Sequence, residues 1–146
     1  MSIFSEIGEV VTLMSCSDHY KHFTVSDIER YVSAPIAASR AAMFYDEEGD
    51  IAGFVTHAFL RAKVEKAFIK GSYKMELKDW MTEPSDGQLW IIDFIAPMGG
   101  ADQITKWHRR QLANEYDDHF KVSFVRRKDD MPPRVGSIPI RSIRLH

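Results

Sequence analysis

The residue that first demands a chemical explanation is Asp93. It interrupts LWIIDFIAPMGG, Leu89 to Gly100, in which Leu89, Trp90, Ile91, Ile92, Phe94, Ile95 and Ala96 are apolar. Such a run reads as a strand buried on both faces. A carboxylate there has to be paired, hydrogen-bonded, protonated or employed, because an unpartnered buried charge is costly. Beyond the strand come Pro97, a Gly99–Gly100 turn and a helix whose first residues include Ala101 and Asp102. A helix start beyond a strand end is a place to hold an anionic or polar ligand group. An acid beside it, in an apolar wall, is a candidate for a perturbed pKa and for proton transfer or orientation. The plainer reading is that Asp93 caps a turn or pairs with an arginine such as Arg126.

Histidines are the natural partners of such an acid. His19 and His22 lie in the polar connector SCSDHYKH, where an imidazole can be exposed and reactive. His57, in the strand-like VTHAFL, reads as structural, and His108 and His119, on or just after a long helix, are expected to face solvent. His146 ends the sequence. The H-x-x-H pair lacks a third and fourth ligand at metal spacing, so no metal site is expected. Cys16 is the single cysteine and has no activating context, which excludes an intrachain disulfide framework and fits a reducing compartment.

The elements that must position these groups follow from periodicity. Ile3, Ile7, Val10, Val11 and Met14 predict an amphipathic helix over 2–15. Ser26 to Glu29 reads as a capping box opening a second helix that closes near Pro35. Two strand-like runs around the acidic turn Asp46–Asp50 predict a hairpin. A short helix over 61–70 ends at Gly71, and 71–87 reads as polar and irregular. The strand at 88–97 and the helix ADQITKWHRRQLANEYDDHF follow. In that helix Ile104, Trp107 or His108, Gln111 or Leu112, and Tyr116 are in register. KVSFVRR and SIPIRSIRL read as two final strands. The order implies a mixed α/β fold, a sheet with helices on its faces, in a single domain over 1–146.

Composition is that of an ordinary globular protein: 146 residues, 45% hydrophobic, 27% charged, net charge −2. No basic field calls for nucleic acid, and no segment is apolar for the ~20 residues a membrane span needs. The acids near the N-terminus do not suit a signal peptide, so a cytoplasmic location is expected.

GEVVTLMSCSDHYKHFTVSDIERYVSAPI, IAGFVTHAFL, the Asp79–Trp80 pair and above all LWIIDFIAPMGG resemble the bacterial toxin-activating lysine acyltransferases, which acylate RTX protoxins such as haemolysin. Their W-(F/I/L)-(I/V)-D-(W/L/F)-I-A-P-F-G stretch stands here as Trp90 to Gly99, with Met98 for the usual Phe. The resemblance runs from Gly8 to about Arg126. It implies a fold similar to the GNAT acetyltransferases. It also implies transfer of a fatty acyl group from acyl-carrier protein to the ε-amino group of an internal protoxin lysine, catalysed by a histidine after the first helix and the strand aspartate. No bound cofactor is implied beyond the acyl-carrier-protein donor. Members are often dimers, so a homodimer is an expectation here.

Asp93 matches the family motif directly. The histidine does not, because S-P-x-H-R-x-W-P aligned without gaps onto Ser17 to Thr24 puts Tyr20 at the catalytic position. His19, one residue early, and His22, two late, are the imidazole candidates. Either would serve as a general base with Asp93 orienting it, a contribution of about 10²–10⁴ in rate. Backbone N–H groups at the strand edge or the Gly99–Gly100 turn are candidates for the oxyanion site. The R/Q-x-x-G-x-G/A phosphate loop of coenzyme-A-dependent GNAT enzymes is missing. Basic residues for an acidic carrier would be Arg109, Arg110, Arg126, Arg127 and Lys128. Two other readings stay open: a non-catalytic GNAT-shaped acyl- or partner-binding module, and a coenzyme-A-dependent N-acetyltransferase.

Overall fold

A computed structural model describes residues 2–128 and 130–145. Its elements form a mixed α/β fold with a five-stranded mixed sheet in the order β1-β2-β3-β4-β5. The strands are β1 (Ala41–Tyr45), β2 (Ile51–Leu60), β3 (Gln88–Ile95), β4 (Lys121–Arg126) and β5 (Arg134–Pro139). β1 and β2 form the expected antiparallel hairpin, with Ala41 opposite Thr56. Asp46 closes its turn by accepting the N–H groups of Glu48 and Asp50 at 2.9 and 3.0 Å, so part of the acidic run serves local geometry. β3 pairs with β4 in parallel through Trp90 and Ser123, and β4 pairs with β5 antiparallel. Among the described residues no helix is long and apolar enough to cross a membrane.

The chain clusters into two compact units, Met1–Thr56 with Asp93–His108, and His57–Ile92 with Arg109–His146. In the first unit, α1 (Ile3–Ser15) starts where the Ser2 hydroxyl accepts the Ser5 N–H. It lays Val10, Leu13 and Met14 against Val32, Phe54 and Ile95. Each such side chain, fully buried, contributes about 1.5–3 kcal/mol. The next helix departs from expectation at its start. Its capping box is Thr24 with Asp27 rather than Ser26 with Glu29, the two closing reciprocal bonds of 3.1 and 2.9 Å. It closes at Ala37, near Pro35 as expected. A wider π-turn over Glu29–Ser33 joins α2 (Val25–Ile28) to α3 (Ala34–Ala37). Proline has no N–H and crowds the preceding turn, and the wider turn accommodates it without ending the helix.

The second unit has its own core of Phe59, Leu89, Leu112, Ala113, Tyr116, Phe120, Val122 and Ile140. Here α4 (Ala62–Lys70) ends on left-handed Gly71. Its last carbonyls, of Phe68 and Ile69, accept the Arg127 guanidinium. The stretch expected to be irregular holds a short helix, α5 (Leu77–Trp80), and buries Met75, Asp79 and Trp80. The Asp79 carboxylate accepts the Tyr73 hydroxyl at 2.5 Å and the Glu76 N–H at 2.8 Å, which is why an acid is tolerated there. The final SIPIRSIRL is not one strand: β5 ends at Pro139 and Ile140–Arg144 forms a helix, α7. Ile140 is buried and Ile143 packs beside it, a spacing of three that only a helix turns to one side.

α6 (Ala101–Glu115) resolves the ambiguous register. Ile104, His108, Leu112 and Tyr116 are buried at intervals of four, and Trp107 is partly exposed. His108 therefore does not face solvent as its sequence context suggested: it is 3% exposed, with its ring edge-on to Phe44. His119 is exposed. His57 is a core residue as expected, its Nε2 hydrogen-bonded to the Tyr116 hydroxyl at 2.9 Å. His146 lies outside the described residues.

Candidate active site

Asp93 sits near the end of β3, and its carboxylate Oδ1 accepts the phenolic O–H of Tyr20 at 3.0 Å. The partner is a phenol, not a guanidinium. The Asp93 backbone N–H donates to the Thr56 hydroxyl at 3.0 Å, and Thr56, on β2, is completely buried. Both the backbone and the carboxylate of Asp93 are thereby fixed. Among the described residues the other carboxylate oxygen, Oδ2, meets no donor.

Tyr20 reaches Asp93 because of the turn that follows α1. The Ser17 hydroxyl accepts the Tyr20 N–H at 3.3 Å and the Ser17 carbonyl accepts the Lys21 N–H at 2.9 Å. Residues Tyr20–His22 then form a 3₁₀ turn, closed by the Phe23 N–H on the Tyr20 carbonyl at 3.1 Å. His19, at the head of this turn, also has helical backbone angles. With three residues per turn, His19 and His22 share one face and Tyr20 points about 120° away. Tyr20 takes the inward direction, packing edge-on against His19 at 4.7 Å and Phe23 at 5.2 Å between ring centres. Both histidines are exposed. His19 is close enough for its charge to act on Asp93. No interaction joins His22 to Asp93 among the described residues.

The electrostatics follow from that packing. Burial pushes the Asp93 carboxyl up to about 6, while the Tyr20 hydrogen bond and the His19 charge pull it the other way. Burial, and then the charge and hydrogen bond of Asp93, hold the Tyr20 phenol far above its ordinary range, against a smaller opposing effect of the Phe94 backbone. Tyr20 is thus a neutral donor at physiological pH. Asp93 is mostly ionised at pH 7 yet close to its midpoint, the condition under which a carboxylate exchanges protons readily.

Beyond β3 the chain turns through Gly99 and Gly100, with φ of +93° and +75°, into α6. Two consecutive left-handed residues are accessible to glycine at little cost, which accounts for the pair. Of the basic candidates, Arg127 is occupied with the end of α4. Arg109 and Arg126 lie near each other, and burial together with the Arg126 charge lowers the Arg109 pKa. Cys16 is exposed and free.

The sequence singles out Asp93 and the segment that meets it, and the structure sets the Tyr20 phenol against Asp93 with His19 and His22 exposed on the same turn. The available signal was the ungapped alignment, which already placed Tyr20 at the position opposite the aspartate. Thr56 carried no comparable signal, since a threonine in a strand is ordinary.

Comparison with known proteins extends this picture. A family model described as the RTX toxin acyltransferase family matches residues 1–137. The protein-lysine myristoyltransferase RtxC of Kingella kingae is 28% identical over 115 residues, covering 79% of this chain and 66% of that protein. The RTX-II toxin-activating lysine-acyltransferase ApxIIC of Actinobacillus pleuropneumoniae is 27% identical over 108 residues, 74% of this chain and 64% of its own length. An uncharacterized protein of Synechocystis sp. is 28% identical over 99 residues, 67% of this chain and 65% of its own. The chain thus spans just under two thirds of the length of the curated relatives it matches. With nearly its whole length matched by the family model, the chain belongs to the RTX toxin acyltransferase family.

Proposed function

We propose that this protein is a protein-lysine fatty acyltransferase, moving an acyl chain from acyl-carrier protein to the ε-amino group of an internal lysine of an RTX-type protoxin in the cytoplasm. The observation that carries the reading is Asp93, a half-buried carboxylate with a raised pKa, held by one oxygen near a strand end and within the electrostatic reach of the exposed His19. Family membership and the activities for which RtxC and ApxIIC are named support the reaction class.

The reaction forms a C–N bond and breaks the thioester C–S bond. A lysine with its ordinary pKa of about 10.4 is almost wholly protonated at neutral pH, so the incoming ammonium has to lose a proton before it attacks. In this reading the negative Asp93 draws the ammonium in, and the neighbouring imidazole, His19 first and His22 second, accepts the proton with Asp93 stabilising its charged form. The amine then attacks the carbonyl carbon. Nitrogen loses two protons in all: the first leaves through the imidazole to solvent and the second passes to the departing pantetheine sulfur, so one proton is released for each amide formed. Backbone N–H groups at the Gly99–Gly100 turn are the proposed donors to the developing oxyanion. Arg109, Arg110, Arg126 and Lys128 are the proposed contacts for an acidic carrier, Arg127 being occupied elsewhere.

The test is transfer of a radiolabelled acyl chain from acyl-carrier protein to a candidate protoxin, with acyl-coenzyme A as the competing donor. Wild type should label the protoxin from the carrier, and Asp93→Asn should abolish labelling with the fold retained. Loss with His19→Ala and not His22→Ala would identify the base. Labelling from coenzyme A alone would transfer the protein to the N-acetyltransferase class. A silent wild type, with donor and target validated, would leave a binding module.

A further inference from the structure

We propose that Tyr20 is the positioning residue of this site: its phenol holds Oδ1 of Asp93 and so keeps Oδ2 turned toward the proton it must attract. This rests on the acyltransferase reading for its purpose, but its physical content is independent of it.

Three observations carry the inference. First, the Tyr20–Asp93 hydrogen bond, 3.0 Å long, joins residues 73 positions apart, so it exists only because the turn after α1 is brought against β3. Second, Tyr20 has little freedom. The 3₁₀ turn fixes its backbone, His19 and Phe23 flank its ring, and the ring packs on the α1 core. Presenting His19 or His22 in its place would require rotating the turn by about a third of a revolution, exposing Tyr20 and breaking the bonds to Ser17. Third, among the described residues Tyr20 is the one side-chain donor to the Asp93 carboxylate, the Thr56 hydroxyl holding its backbone N–H instead. Without the phenol its carboxylate would be free to rotate about its side-chain torsions. A donor that stays neutral across the working pH range suits this task, because it donates to the carboxylate without competing for the substrate proton.

The titratable groups recorded against Asp93 are Tyr20 and His19, both from the turn after α1; β2 contributes the neutral Thr56. A donor to a carboxylate favours its ionised form. Tyr20→Phe keeps the ring packing and removes only that donor. Asp93 should then hold its proton more tightly, its midpoint rising from about 6 by roughly one pH unit. The ionised fraction at pH 7 would fall from about nine tenths to about one half.

The experiment follows the Asp93 carboxyl by NMR of protein labelled with ¹³C-aspartate, the signal assigned with Asp93→Asn, across a pH series. Incorporating 3-fluorotyrosine at position 20 supplies the opposite perturbation in a nearly isosteric ring, since a more acidic phenol is a stronger donor. We expect the midpoint to rise in Tyr20→Phe and to fall with fluorotyrosine. The acid limb of kcat should move with it while KM for the carrier is unchanged. A midpoint that stays put in both proteins, or an altered melting temperature with an unmoved pH profile, overturns the inference. Because the titration needs no substrate, a failed acyl-transfer assay refutes the proposed function without touching this result.

Discussion

Replacing Asp93 by asparagine should make the folded protein more stable at neutral pH while destroying its transfer activity. Burial moves the Asp93 carboxyl from the ordinary 3.8 to about 6. The folded state therefore binds this proton more tightly than the unfolded chain does. The sign follows directly: stability from this group is greatest at low pH, falls as the pH rises through the unfolded value, and levels off above the folded one. A gap of about two pH units corresponds to ~3 kcal/mol, of which ~1.3 kcal/mol accrues between about pH 5 and pH 7. This is a ceiling, since a half-buried group keeps some solvation. Asparagine cannot ionise but still offers an oxygen to Tyr20. The assay is urea unfolding of wild type and Asp93→Asn at several pH values, with the difference plotted, because every other titrating group then cancels. The difference should be small near pH 4, grow in favour of the variant up to pH 7, and remain constant above. A flat difference would show that Asp93 is solvated. A difference growing in favour of wild type would show a stabilising ion pair, and either result would refute the desolvation argument.

Other outcomes concern the scaffold. Tyr116→Phe removes the buried bond to His57 and should cost about 1–2 kcal/mol in thermal unfolding, with little effect on the Asp93 titration. Gly87→Ala should be worse tolerated than its chemistry suggests. The added Cβ would lie 2.7–2.9 Å from backbone atoms of Phe59 and Leu60, and overpacking of this kind costs about 1–3 kcal/mol, readable as a lowered melting temperature. Arg144→Ala removes donors to the carbonyls of Ala113 and Tyr116 and an ion pair with Asp118 at 2.9 Å. It should destabilise the end of α6 by about 1–2 kcal/mol, seen as faster amide exchange over the last turn of that helix.

Much of this protein is legible in its sequence. The helix over 2–15, the acidic hairpin, the apolar strand and the chemical oddity of Asp93 all follow from local periodicity and from the cost of burying a charge. The family motif around Asp93 is local as well, which is why the resemblance was visible without a fold. The departures are of a different kind. The capping box looked like Ser26 with Glu29 and is Thr24 with Asp27, and Ile140 with Ile143 looked like strand yet packs as one face of a helix. His108 looked like a surface residue and lies in the core. For Ile140, Ile143 and His108, packing against residues distant in the chain outweighed a local preference. The site shows this most clearly. Sequence alone identified Asp93 and the turn that approaches it. Whether that turn offers Asp93 a histidine or Tyr20 depends on the phase of a single 3₁₀ turn, set by Ser17, Phe23 and the α1 core. A one-residue change in that phase rotates the inward side chain by about 120°, and only the tertiary contacts select it.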